Sequence, residues 1–225
     1  MTDYTIEVTA EYVSVNGAAF EEVWPGLQPP MTLPPEPPVA SGLAVYTFEN
    51  GEVQSEDLWY RAADNVAYGI GCFAVDGCPA LQDTVDRYVA AWSGNDPDAI
   101  AALYSDDATF TDSVLGLHAS GSGPIGELAD QRFGSGSGLD VQILDLYAWT
   151  DGTRPPSETR PEAGRLIGIA IHYRAAVDGS TEAQEGITTL ELGVKTDTGI
   201  EADTHGLIHR EEVYHSPHTL TRGRS

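Results

Sequence analysis

A strand rhythm opens and closes this chain, and a helical rhythm separates the two. Across residues 1–62 apolar and polar positions alternate with the two-residue period of half-buried strands, in TIEVTAEYVSV, AAFEEVW, GLAVYTF and EVQSEDLWY, with a turn at Glu49-Asn50-Gly51. Between the second and third of these, Pro25, Pro29, Pro30, Pro34, Pro35, Pro37 and Pro38 remove ladder donors and predict an extended covering loop or linker. From Leu81 the period turns helical: Leu81, Val85, Tyr88, Val89 and Trp92 share one face, and the helix should stop near Ser93-Gly94. Asp96 and Pro97 fit the cap and first position of a second helix carrying Ile100 and Leu103. A short strand is expected at Thr109 to Thr111, and a third helix from Pro124 through Ile125 and Leu128 toward Phe133.

After the GSGSG at Gly134 to Gly138 the alternation returns in VQILDLYAW (141–149), RLIGIAIHYRAAV (165–177), EGITTLELGV (185–194) and LIHREEVYH (207–215), separated by polar, turn-rich loops. Helices followed by a run of long strands predict an α+β fold, with the helices packed on one face of a curved antiparallel sheet.

Charge narrows the partners. The 225 residues carry 11 Lys and Arg against 35 Asp and Glu, a net −24, and such a surface repels phosphate backbones and anionic lipid. Nucleic acid and membrane surfaces are therefore not expected partners, and no apolar run approaches the roughly 18 residues of a membrane span. The N-terminus lacks a basic segment followed by an apolar one, so the expected location is the cytoplasm. Cys72 and Cys78 enclose a short loop without neighbouring histidines, a poor metal site; they would pair in an oxidising compartment, and reduced thiols are the expected state.

The stretch RYVAAWSGNDPDAIAALYSDDATFTDSVLG, followed by SGSGPIGEL, resembles the opening of bacterial ketosteroid isomerases within the nuclear transport factor 2-like fold. GLIHREEVYHSPHTL is similar to the closing strand of SnoaL-like polyketide cyclase family proteins. The resemblance spans residues 81–220 and implies a cone: a strongly curved antiparallel sheet with three helices around an apolar pocket for a small hydrophobic molecule, with no cofactor and no metal. It implies that Asp112 stands at the general base and Tyr88 at the oxyanion-hole tyrosine, with Tyr104 supporting that hydroxyl. Two departures stand out: Ser113 replaces the proline that usually follows the base, and Ala129 replaces a further tyrosine.

A carboxylate in a dry pocket can remove a proton next to a carbonyl if a donor opposite stabilises the enolate oxygen. Asp112 and Tyr88 suit these roles; equally, Asp112 suits a turn cap and Tyr88 the ordinary core of an amphipathic helix. The resemblance implies a second acidic donor on EGITTLELGV, but the alternation Leu190, Leu192, Val194 puts Leu190 at that place in the pocket and leaves the oxyanion hole incomplete, whereas a one-residue shift would offer Glu191 and turn the apolar face outward. His172, on an apolar strand, is either a pocket acid–base group or a satisfied core histidine. His209, Glu211, Glu212, His215 and His218 read as a solvated polar edge rather than metal ligands. Trp92, Phe110, Tyr147 and Trp149 are candidate pocket-lining aromatics.

The sequence thus supports an isomerase- or cyclase-type enzyme with an Asp base, a non-catalytic hydrophobic-ligand binder or dimerisation module, or an epoxide hydrolase using Arg132, Arg165 or Arg174. Residues 76–225 would form the SnoaL-like domain. Residues 1–75 would be a β-rich extension, read either as a degenerate half-copy of the same fold docked as a pseudo-dimer or as an unrelated addition; a homodimer is the other assembly expected.

Overall fold

The computed structural model describes residues 6–24, 40–61, 79–133, 138–150, 166–177, 182–196, 199–202 and 206–217. Four strands come first: β1 (Glu7–Val13), β2 (Gly17–Trp24), β3 (Ala40–Glu49) and β4 (Glu52–Arg61). Helices α1 (Pro79–Gly94) and α2 (Pro97–Ala101) precede β5 (Tyr104–Asp112) and β6 (Leu117–Ser120), and α3 (Ser122–Phe133) follows. The remaining strands are β7 (Leu139–Thr150), β8 (Leu166–Val177), β9 (Gln184–Glu191), β10 (Gly193–Thr196), β11 (Gly199–Ala202) and β12 (Ile208–His215). Cys72 and Cys78, the proline-rich stretch and His218 lie outside the described residues.

Local chemistry explains the boundaries. The Asp96 carboxylate accepts from the backbone N–H of Asp98 at 3.1 Å and of Ala99 at 3.2 Å, satisfying two donors that the first turn of α2 leaves open. Asn50 and Gly51 both take positive φ, 54° and 81°, the left-handed pair that a tight β3–β4 hairpin needs. Two readings change. The expected short strand runs from Tyr104, because β5 gains a parallel partner in β12. EGITTLELGV is not one strand: it breaks at Leu192, after which β10 pairs with β11.

The main sheet has ten strands in the order β1-β2-β3-β4-β7-β8-β9-β12-β5-β6, and β1 also meets β12 at Val13↔His215. All its pairings are antiparallel except β5–β12, which agrees with the α+β expectation. The N-terminal strands therefore join the sheet through β4 to β7 and through β1 to β12.

Two cores lie on opposite faces of β7, β8, β9 and β12. The first buries helix residues Val85, Trp92, Ile100, Ile125 and Leu128, with Leu103 in the turn after α2, against Ile169, Ile171, Leu190 and Val213. Among the described residues the second is built of strands alone: Tyr12, Ala19, Leu43, Val45 and Trp59 of the N-terminal strands pack on Tyr147, Ala170, Ile187 and Tyr214. Burial on both faces leaves the central strands nearly continuously buried, as Ile167–Ile171 and Ile187–Leu190 show.

Candidate functional site

β12 runs between β9 and β5, so its backbone is paired on both sides, and from Glu211 to His215 its side chains are buried. Its two-residue period sends Glu211 and Val213 toward the helix-covered core and Tyr214 toward the other. Glu211 is 1% exposed, and its carboxylate takes three donors: Tyr88 from α1 at 2.6 Å and Thr188 from β9 at 2.8 Å on Oε1, and the Tyr104 hydroxyl from β5 on Oε2. Burial pushes this carboxyl up to about 6, the three hydroxyl donors work against the rise, and the charge of Asp112 adds to it. Tyr88 and Tyr104 are in turn held well above the usual phenol range, chiefly by burial and then by the Glu211 charge.

Asp112 ends β5 and is 4% exposed. Its Oδ1 accepts the backbone N–H of Leu115 at 3.0 Å, closing the turn into β6, and its Oδ2 meets Nε2 of buried His215 at 2.9 Å. A carboxylate oxygen accepts, so the tautomer that fits this contact is the one with the ring proton on Nε2. The Tyr173 hydroxyl is also raised, first by burial and then by the charges of Asp112 and Glu211, which places all three groups within electrostatic reach of one another.

Aromatic side chains border this cluster. Trp92 packs between Tyr88 (ring centroids 6.1 Å) and Phe110 (5.8 Å), and its indole N–H lies near the Tyr104 hydroxyl without hydrogen-bond geometry. Leu190 is fully buried in the same core.

Tyr88, Asp112, Trp92, Tyr104, Phe110 and Leu190 thus fall on one side of the sheet. His172 and Tyr147 do not join them. On β8, Ile169, Ile171 and Tyr173 face the helices, which leaves Ala170 and His172 on the opposite face. A register shift between Ile143 and Asp145 switches the parity of β7, so Leu146 and Ala148 point toward the helices and Tyr147 away. The side chain of Trp149 lies outside the described residues.

His172 instead ties strands together across the second core. Its Nδ1 meets Glu21 of β2 at 2.9 Å, and its Nε2 meets Tyr12 of β1 at 3.0 Å and Glu185 of β9 at 3.3 Å. Burial opposes its charge, but Glu21 and Glu185 outweigh that and raise its pKa. Tyr147 donates to Glu21 at 2.7 Å, Arg174 holds Glu185 at 2.8 Å, and Asp145 stands across from His172 in the β7–β8 register.

Leu190 faces the helix-covered core, as the alternation predicts; the buried carboxylate that the sequence reading missed there is Glu211. Glu191 pairs with Arg210 at 3.1 Å, while Glu211, the register partner of Leu190, brings its carboxylate from the neighbouring strand. Glu211, Glu212 and His215 are buried and not a solvated edge, because both faces of this part of β12 are covered, one by the helix-covered core and the other by the N-terminal strands. The available signal was the alternation Glu211, Val213, His215, which marks one face without saying what covers it. Arg174 and Arg210 serve Glu185, Glu191 and Glu212, not Asp112; Arg165 and the side chain of Arg132 are outside the described residues. Among the described residues no three His, Cys, Asp or Glu are grouped to hold a metal, and no helix is long and apolar enough to cross a membrane.

Solved structures that match part of this chain include ketosteroid isomerase-like and nuclear transport factor 2-like proteins. One structural neighbour is a protein of ketosteroid isomerase-like fold from Catenulispora acidiphila, solved in complex with trimethylamine, at 19% identity over 60% of this chain and 86% of that one, TM-score 0.41. Another is a nuclear transport factor 2-like protein from Burkholderia xenovorans, at 16% identity over 61% and 83%, TM-score 0.40. A third is an LEH-like epoxide hydrolase from Mycobacterium tuberculosis, at 16% identity over 64% and 87%, TM-score 0.40. No protein-family model and no curated protein matches the sequence.

Proposed function

We propose that the helix-covered side of the sheet acts on a small hydrophobic carbonyl compound, as a cofactor-independent isomerase- or cyclase-type enzyme with Asp112 as the base. One observation carries this reading: two buried ionisable groups, Asp112–His215 and Tyr88–Glu211–Tyr104, sit on adjacent strands, facing the same aromatic-lined core. Paired carboxyls in unlike surroundings can divide the acid and base roles between them. Each Asp112 oxygen has one lone pair committed and one left to take a proton from the carbon beside a carbonyl. The electrons released move onto the carbonyl oxygen, and returning the proton to another carbon completes an isomerisation.

The opposing donor depends on Glu211. While Glu211 is ionised, both tyrosine protons are committed to it. Once protonated, its own hydroxyl can donate to one tyrosine, which releases that tyrosine's proton toward a substrate oxygen. A second reading, a non-catalytic hydrophobic-ligand binder, is favoured by the Leu115 N–H and His215 contacts, which make Asp112 a brace for the β5–β6 turn. Asp112→Asn separates the two. Screened with small cyclic ketones and epoxides, it should lose turnover by ~10²-fold or more while still giving a ligand-induced thermal shift. Turnover equal to the wild type removes the catalytic reading; a thermal shift without turnover in either protein supports the binder.

A further inference from the structure

We propose that the turn between β1 and β2 positions the Asp112–His215 pair, with Ser113 as the positioning residue. This rests on Asp112–His215 being the working pair.

Three contacts join that turn to both members. The backbone N–H of Val15 donates to Ser113 Oγ at 2.8 Å, one residue after Asp112. Val13 is the β-ladder partner of His215, and the hydroxyl of Ser14 donates to Glu212 Oε1 at 3.3 Å. The turn itself is closed by Ser14 N–H on the Gly17 carbonyl at 2.9 Å. It is also seated tightly: a Cβ at Gly17 would lie 2.9 Å from the Tyr46 carbonyl and 3.1 Å from the Tyr214 ring, so nothing larger than glycine leaves it in place.

The need for such a tether follows from topology. Asp112 sits where β5 leaves the sheet, and the turn that holds its Oδ1 leads only to β6, the four-residue edge strand. His215 likewise ends its strand. Two strand ends can slide against each other unless something spans them, and an error of about 1 Å is enough to spoil a proton-transfer geometry. A hydroxyl at position 113 accepts the Val15 N–H; a proline there, as in the isomerases this stretch resembles, has no side-chain acceptor. The N-terminal strands and Ser113 therefore belong to one device.

The test uses the full chain and reads the His215 ring by NMR, through the Nε2 proton donated to Asp112 and its exchange with water, with His215→Asn assigning the signal. In Ser113→Ala that exchange should become several-fold faster and the Val15 amide should lose its protection, while Ser113→Thr restores both. Thr9→Ala removes a β1 side-chain bond to the Glu21 carbonyl, remote from the pair, and should change neither. Unaltered His215 exchange in Ser113→Ala, or an equal change in Thr9→Ala, overturns the proposal. Because the signal does not depend on turnover, an inactive wild type would remove the proposed reaction and leave the tether standing. Conversely, unaltered exchange together with lost turnover in Asp112→Asn would remove only the tether.

Discussion

Glu211→Gln is the perturbation that most directly probes the buried cluster. The folded chain holds this carboxyl at about 6, against an ordinary value of 4.5, chiefly because burial penalises its charge. Between those two values the folded state keeps a proton that the unfolded state has released, so stability falls as pH rises. The full difference corresponds to ~2 kcal/mol, complete only above the folded value, and roughly 1 kcal/mol of it is lost between pH 5 and 7.5. That window lies above the isoelectric point of about 4.2, so solubility permits the measurement. The side-chain amide of the variant cannot ionise, and its oxygen can keep the Tyr88 and Thr188 bonds. Its nitrogen then faces the Tyr104 hydroxyl, which must turn from donor to acceptor, at a cost of about 1 kcal/mol that does not vary with pH. Urea unfolding of both proteins from pH 5 to 7.5 should show Glu211→Gln gaining on the wild type by ~1 kcal/mol as pH rises. A stability difference that is flat across this range, or that moves the other way, refutes the claim that burial dominates this carboxyl.

Leu43 has no exposed surface and belongs to the core between the N-terminal strands and β7–β12, so Leu43→Ala should cost ~2–5 kcal/mol in urea unfolding; a loss below about 1 kcal/mol would mean that those strands are not docked there. Gly126→Ala, although it favours helix by up to ~1 kcal/mol, places a Cβ 2.3 Å from the Pro97 carbonyl and should lower the melting temperature by forcing α3 from α2. His172 has a raised pKa in the folded chain, so the stability it adds over His172→Gln should be complete below about pH 6.5 and fade as pH rises through the folded value. Urea unfolding of the pair at pH 6 and 8.5 checks this, and a gap that widens at pH 8.5 is the contrary result.

The features legible in the chain alone were local ones. Asp96 and Pro97 start a helix because the cap and the fixed φ act within one turn, and Asn50-Gly51 makes a hairpin because both residues tolerate positive φ. The alternation in 165–177 and 207–215 marked strands, and the shared face of Val85, Tyr88, Val89 and Trp92 marked a helix that packs with that face inward. Alternation, however, assigns residues to two faces without saying what covers either. Tertiary pairing decided that β12 lies between β9 and β5, which buries Glu211 and His215 and makes them partners of Tyr88, Tyr104 and Asp112. It also decided that His172 faces the N-terminal strands, and a single register shift in β7 sent Tyr147 with it. A polar residue on a strand looks the same in the sequence at an edge or at the centre, because its burial is set by strands that are distant along the chain.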